Sequence, residues 1–438
     1  MNIRSQITLI FFAACITTHT ATGQIPAPAQ KEATLITGAT VHTGTGEVIT
    51  DGAVGFREGK ITYVGSAANA NRSDFKQVID AAGKHLYPGL ILANSSLGLV
   101  EVDALRQTRD MDETGNMNPN VRAMIAYNTD SRITPTLRTN GILLVQSTPR
   151  GGLISGTSSI MKMDGWNWED AVYRSDDGIH MNWPVTKYRG SPWRGEEGIQ
   201  NNKEKPSRLE MLSLFFDRAG AYAKESKPKN VNLKLDAMRG LFDGGKTLYI
   251  HVNLSKEIVE SVQFAQSKGV KKIVIVEGAD AWRVADFLKQ NNIPVVLRRV
   301  HELPFREDED VDQPFKTAYM LQQAGVLYCL NYSGDMEPAN ARNLPFIAGT
   351  TVAYGVGKEE ALQSVSLNVA KILGIDKHTG SLEVGKDATL FLSTGDALDM
   401  RTNHVEKAYI NGSNIDLEND QKELYRKYAE KYGLDVKE

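Results

Sequence analysis

Apolar and polar positions alternate in short runs near both ends of the chain, and in longer, helix-interrupted runs between them. From Ala33 to Gly65, Leu35-Ile36, Val54-Gly55-Phe56 and Ile61-Thr62-Tyr63-Val64 read as strands, and Asp51-Gly52 and Glu58-Gly59 carry hairpin-turn chemistry. A second β piece spans Ala388 to Leu392 and Lys407 to Ile410, with Asn411-Gly412 as a turn. Two β pieces flanking a long middle predict a discontinuous small β-sandwich domain built from residues 24–86 and 377–414.

The middle of the chain, residues 87–376, has a different rhythm. Apolar runs at 142–145, 248–250, 273–276, 295–297 and 326–330 read as strands. Ile258, Val262 and Ala265 fall on one helical face between the second and third of these, and Val284, Phe287 and Leu288 do so in the next gap. The last four strands start 25, 22 and 31 residues apart, the length of a β/α unit. This predicts an α/β fold with a parallel sheet and right-handed crossovers. A (β/α)8 TIM-like barrel fits the length better than an open sheet, because no Gly-x-Gly-x-x-Gly follows the first strand. Over residues 415–438, Leu424, Tyr425, Tyr428 and Tyr432 mark an amphipathic C-terminal helix, expected to pack on the barrel.

Residues 1–23 read as a signal peptide. Arg4 precedes an apolar stretch from Leu9 through Ile16, and Ala21-Thr22-Gly23 offers small residues before a cut at Gln24. A rival cut lies before Cys15, where Phe12-Ala13-Ala14-Cys15 faintly resembles a bacterial lipoprotein box. Either route predicts an exported, periplasmic protein. No later apolar run approaches the ~20 residues of a spanning helix. The formal net charge of -3 argues against nucleic acid as a partner. With only Cys15 and Cys329, no intrachain disulfide survives loss of the leader, and no Cys-rich zinc motif exists. The 438 residues, 41% hydrophobic, suffice for a large core without such staples.

Three stretches resemble the amidohydrolase superfamily, and its imidazolonepropionase-like group in particular. Pro88-Gly89-Leu90-Ile91-Leu92-Ala93-Asn94-Ser95-Ser96 resembles the first-strand signature Pro-Gly-hydrophobic-hydrophobic-Asp-x-His-x-His. Asn368-Val369-Ala370-Lys371-Ile372-Leu373-Gly374 resembles a late family helix, and Gly380-Ser381-Leu382-Glu383-Val384-Gly385-Lys386-Asp387-Ala388 resembles the return into the β domain. The resemblance implies a metal held by two histidines of the first barrel strand, one after the fifth and one after the sixth, with an Asp after the eighth moving the proton.

Those positions are degenerate in this chain. Asn94 and Ser96 replace the paired histidines, Glu277 stands at the sixth-strand position and Ser333 at the Asp position; only His251, after the fifth strand, is retained. Amide and hydroxyl oxygens are poor zinc ligands. Losing the ion forfeits a shift of bound water from a pKa of about 15.7 to about 7, on the order of 12 kcal/mol of nucleophile activation.

The resemblance therefore implies a metal-hydrolase scaffold whose catalytic metal is lost and whose role is binding or accessory, with no cofactor. Expected partners are a small-molecule ligand in the barrel mouth, an active amidohydrolase relative, and further copies of the chain in an oligomer. The alternative is a divergent C–N hydrolase with Glu277 and Asp335 catalytic. Any metal, zinc or another divalent cation, would then sit on His251, Glu277 and Asp335. Asn94, Ser96, His251, His301, Arg306 and Ser333 are the candidate pocket residues. Gly151 to Ser159 reads as a polar, glycine-rich loop over the mouth, with Arg150 and Lys162 beside it. His180 and Trp183, with Trp166 and Trp168, read as rim or packing residues, and Glu307 to Asp310 as a solvated acidic loop.

Overall fold

The computed structural model describes residues 23–190, 197–334 and 336–435. The leader run, Cys15 and the candidate Asp335 lie outside them. Five strands open the chain: β1 (Thr34–His42), β2 (Val48–Arg57), β3 (Lys60–Ser66), β4 (Gln77–Asp80) and β5 (His85–Pro88). Four more follow: β6 (Leu90–Ser95), β7 (Ile142–Ser147), β8 (Ile154–Lys162) and β9 (Val172–Asn182). A small ribbon, β10 (Lys187–Arg189) and β11 (Ile199–Asn201), leads to β12 (Thr247–Val252), β13 (Ile273–Glu277), β14 (Val295–Leu297) and β15 (Tyr328–Leu330). The last strands are β16 (Leu390–Ser393), β17 (Val405–Ile410) and β18 (Ser413–Asn414).

The two end pieces meet in one sheet, ordered β18-β17-β16-β5-β1-β2-β3, with β4 also on β1. The joint is the antiparallel pairing of β16 with β5, from Leu390 opposite Pro88 to Ser393 opposite His85. Irregular register between Thr37 and Val41 lets β1 pair β4 at Thr34–Thr37 and β5 at Thr40–Val41 along one edge. Ile36, Val54, Phe56, Leu86, Leu390 and Tyr409 share its apolar core.

The second large sheet runs β15-β14-β13-β12-β9-β8-β7-β6, a nearly closed eight-strand barrel. Between its first and last strands a chain segment takes the place of direct pairing. Ile91 N–H donates to the Val365 carbonyl and Leu330 N–H to the Ser364 carbonyl, both at 2.9 Å. The helix Leu367–Leu373 follows, and its Val369, Ala370 and Leu373 pack with Ile91, Leu144, Tyr249, Val274, Val296 and Cys329 of the barrel interior. The helix Ser255–Ser267 buries Ile258, Val262 and Ala265, as its periodicity predicts.

Two expectations need correction. The barrel is not all-parallel, because β8 runs antiparallel to both β7 and β9. The links at 148–153 and 163–171 are shorter than the dozen or more residues of a parallel crossover, so the chain must reverse at each. The expected glycine-rich loop is accordingly a turn at Gly151-Gly152 followed by a buried strand from Ile154. The C-terminal helix, Asp420–Tyr432, buries only Ala429 and leaves Leu424, Tyr425, Tyr428 and Tyr432 about half exposed or more. Periodicity marked a face there without saying what covers it.

One glycine fixes the contact between barrel and β domain. On the helix Leu344–Ala353, a Cβ at Gly349 would lie 2.0 Å from the Leu398 carbonyl oxygen, a backbone atom that no rotamer change moves. Gly349→Ala is expected to cost about 1–3 kcal/mol, read as a lower urea midpoint at unchanged slope.

Candidate functional site

The end of β6 bends where the first-strand signature stands. Pairing with β7 slips between Leu92 and Ser95, and Asn94 takes a left-handed φ of 48°, which Asn tolerates better than most residues. Asn94, Ser95 and Ser96 are all buried. Glu337 meets them. Its carboxylate accepts from the Ser95 hydroxyl (2.5 Å), the Ser96 N–H (2.9 Å) and the Ser96 hydroxyl (2.9 Å). Met336, at φ 53°, turns the chain into the short helix Glu337–Asn340 and sets Glu337 inward.

Arg150 completes the cluster. Its Nη1 donates to Asn94 Oδ1 (2.5 Å), its Nη2 donates to the Asn94 carbonyl (2.8 Å), and Nη2 lies 3.7 Å from the Glu337 carboxylate. The two residues at the metal-histidine positions are therefore engaged by a guanidinium and a carboxylate.

A second network lies against the first. The Asn94 N–H donates to Gln146 Oε1 (3.0 Å), and Gln146 Nε2 donates to Asp177 (2.7 Å). Ser158 (2.8 Å) and the Tyr249 hydroxyl (3.0 Å) also donate to Asp177. Burial pushes the Asp177 carboxyl up, against the pull of these three hydrogen bonds. Tyr249 stacks on His180, ring centroids 4.7 Å apart, and His180 Nδ1 is hydrogen-bonded to His251 Nε2 at 2.9 Å. His180 Nε2 is buried with no partner among the described residues. Burial first, and then Arg150, push His251 down to about 3; burial, His251 and Arg150 push His180 down as well. Both imidazoles are neutral at neutral pH.

The remaining candidates are placed apart. Glu277, at φ 75° on the end of β13, accepts from Asn253 Nδ2, and no hydrogen bond or ion pair among the described residues joins it to His251. Ser333 accepts from the Arg299 N–H (3.4 Å). His301 bonds Thr350 (2.7 Å) on the helix Leu344–Ala353, and so faces that helix instead of the Asn94 cluster. Arg306 pairs with the buried Asp280 (2.7 Å) and with Glu309, which makes it a clasp between loops instead of a ligand-binding cation. The same pairing removes Glu309 from the expected solvated acidic loop; its side chain is only 4% exposed. Trp166 is exposed, whereas His180 and Trp183 are buried.

Glu337 and Asp177 were missed by sequence reasoning. Glu337 sits four residues past Ser333, and no spacing rule singles it out over the nearer Asp335. Asp177 sits in a polar run, Ser175-Asp176-Asp177, that hides its strand. His180 carried a faint signal, a lone histidine between Ile179 and Met181 at a strand's end.

These donors do not fit the metal that the resemblance implies. Asn94 Oδ1 is occupied by a guanidinium, and the Ser96 hydroxyl donates to Glu337. His251 Nε2 is tied to His180, and among the described residues no three His, Cys, Asp or Glu side chains converge on a point. A fixed cation beside the site repels a second one.

The neutral histidines give a pH prediction. The unfolded imidazole takes its proton near 6.5 and folded His251 only near 3, so the unfolded state binds more protons between those values. This contribution to stability therefore falls as pH drops from 6.5 toward 3. Asp177, pushed up, has the opposite sign. Thermal midpoints measured from neutral pH down to about pH 4 should fall less steeply in His251→Gln than in the wild type. Equal slopes would mean that His251 is not held neutral.

Residues 228–415 match the amidohydrolase family. An amidohydrolase from Thermotoga maritima MSB8 is similar over 87% of this chain and 99% of its own, with 24% identity and a TM-score of 0.75. Molinate hydrolase is similar over 89% of this chain and 95% of its own, with 15% identity and a TM-score of 0.56. An adenosine deaminase from Xanthomonas campestris, with bound zinc, is similar over 93% of this chain and 99% of its own, with 16% identity and a TM-score of 0.54. At these identities the likeness is one of fold. No curated protein matches the sequence.

Proposed function

From a chain with the amidohydrolase-superfamily barrel, whose residues 228–415 match that family, we propose an exported protein that has exchanged its catalytic metal for an internal ion pair and acts as a binding or accessory subunit. The observation that carries this reading is the Arg150–Asn94–Ser96–Glu337 cluster. In it a guanidinium supplies the positive charge, a carboxylate the negative charge, and the hydroxyl and amide groups only hydrogen bonds. None of these activates water as a metal ion does. The proposed partners are a small-molecule ligand at the barrel mouth, where His251 and Glu277 are each half-buried, an active relative, or further copies of the chain. The imidazolonepropionase-like lineage fits the motifs, and non-peptide C–N bonds are the chemistry left behind.

The rival reading, a divergent C–N hydrolase using His251, Glu277 and Asp335, has less support. His251 is spent on His180 and Glu277 on Asn253. The test is an activity screen of purified protein against small cyclic amides and dipeptides, with and without added zinc or manganese. The expected result is no metal-stimulated turnover. Turnover that depends on metal and is lost in His251→Ala would replace the proposal with its rival.

A further inference from the structure

Gln24, which the leader reading puts directly after the cut, sits in a polar socket. Its backbone N–H donates to Asp130 Oδ1 at 2.9 Å. Its side-chain Nε2 donates to the Ser131 carbonyl at 2.8 Å, and its Oε1 accepts from Arg138 Nη2 at 3.1 Å. Arg138 is 5% exposed and is itself fixed by the Met163 carbonyl and Asp164. The Ala27 N–H donates to the other Asp164 oxygen at 3.0 Å, which pins the following strap. Among the described residues no cation pairs with Asp130. A cleft of about 660 Å³ opens beside it, where Glu418, Asp420 and Glu423 outnumber Arg132 and Arg426.

A neutral backbone N–H uses little of an unpaired carboxylate in an acidic cleft; an ammonium would use more. We infer that this socket receives the mature N-terminus: cleavage before Gln24 frees its α-ammonium, which pairs with Asp130 while Ser131 and Arg138 hold the side chain. The inference rests on the export reading and deepens it.

The arrangement has a chemical consequence. An N-terminal glutamine cyclises when its neutral amine attacks its own side-chain Cδ. The N–Cδ bond forms, the Cδ–Nε2 bond breaks, and an amine proton leaves with the amide nitrogen as ammonia. In the socket Asp130 favours the charged amine, which is no nucleophile. The amide is held at both of its ends, which restrains the side-chain rotation that attack on Cδ requires. The folded protein keeps Gln24 open.

The test uses the full chain expressed with its own leader in an exporting bacterial host. Intact mass and N-terminal sequencing of the envelope protein should show residues 24–438 with a free Gln24. Held for days at neutral pH, folded protein should lose ammonia about tenfold more slowly than the same chain in urea, as hydrogen bonds of ordinary strength would dictate. Asp130→Asn should speed that loss in the folded state and leave the rate in urea unchanged. Equal folded and unfolded rates, an unaltered Asp130→Asn rate, or a chain that emerges already cyclised would each overturn the socket. A lipidated Cys15 would overturn it while leaving export standing. A retained leader would overturn export as well.

Discussion

Glu337→Ala should lower the free energy of unfolding by about 3–4 kcal/mol, against a range of roughly 3–5 kcal/mol for removing one partner of a buried, hydrogen-bonded charge pair. The carboxylate is 8% exposed and satisfies two hydroxyls and one backbone N–H at the end of β6. Without it those three donors are stranded in a closed space, and the Arg150 charge loses its counter-ion. Arg150 is 26% exposed, so water recovers part of its share, which puts the expectation at the lower end of that range. Glu337→Gln keeps an acceptor for the Ser96 N–H and should cost about half as much. Urea titration of the two variants beside the wild type measures both. A cost below about 1 kcal/mol for the alanine would mean that the cluster is a surface ion pair in effect, and the exchange of metal for ion pair would lose its footing.

The second large effect concerns Arg150. Rebuilding the family's ligand positions as Asn94→His, Ser96→His, Glu277→His and Ser333→Asp should not by itself create a zinc site. The guanidinium that binds Asn94 would remain within a few ångströms of the ion. At an effective dielectric of about 20, a monovalent and a divalent charge about 5 Å apart repel by on the order of 6 kcal/mol. Adding Arg150→Met to the four substitutions should therefore tighten zinc binding by a factor on the order of 10³, after allowance for screening by Glu337. Competition with a chromophoric chelator reads both constants. If the four-fold variant already binds zinc as tightly as the five-fold one, Arg150 is not what keeps the ion out.

Much of the scaffold was legible because it rests on local signals. The turn at Glu58-Gly59 joins β2 to β3, and the β/α spacing from Leu248 onward tracks β12 to β15. Asp51-Gly52 is not a reversal: it lies inside β2, at an irregularity opposite Ala39, and β1 turns into β2 at residues 43–47. The antiparallel β8 was hidden because Gly151-Gly152 followed by Ser155, Thr157, Ser158 and Ser159 has the composition of a loop. The fold takes these small polar residues as a strand because each finds a partner: Ser158 bonds Asp177 and Gln146, Thr157 the Pro119 carbonyl, Ser159 the Asp176 N–H and Ser155 the Asn182 amide. The sequence shows Asn94 and Ser96 where the resemblance expects histidines. It does not show what engages them, because the contacts join residues 94 to 150 and 96 to 337, and no periodicity links such positions. His301 and Arg306 were grouped with the site because their segment follows β14 and resembles a family loop, and their partners, Thr350 and Asp280, draw them elsewhere.

The most direct measurement is elemental analysis of the purified protein after equilibration with excess zinc and gel filtration. An ion pair in the metal's place predicts less than about a tenth of an equivalent retained, since Asn and Ser oxygens are too weak to hold it. One or two equivalents of zinc, bound tetrahedrally at Asn94 and Ser96 with Glu337 displaced, would contradict the account.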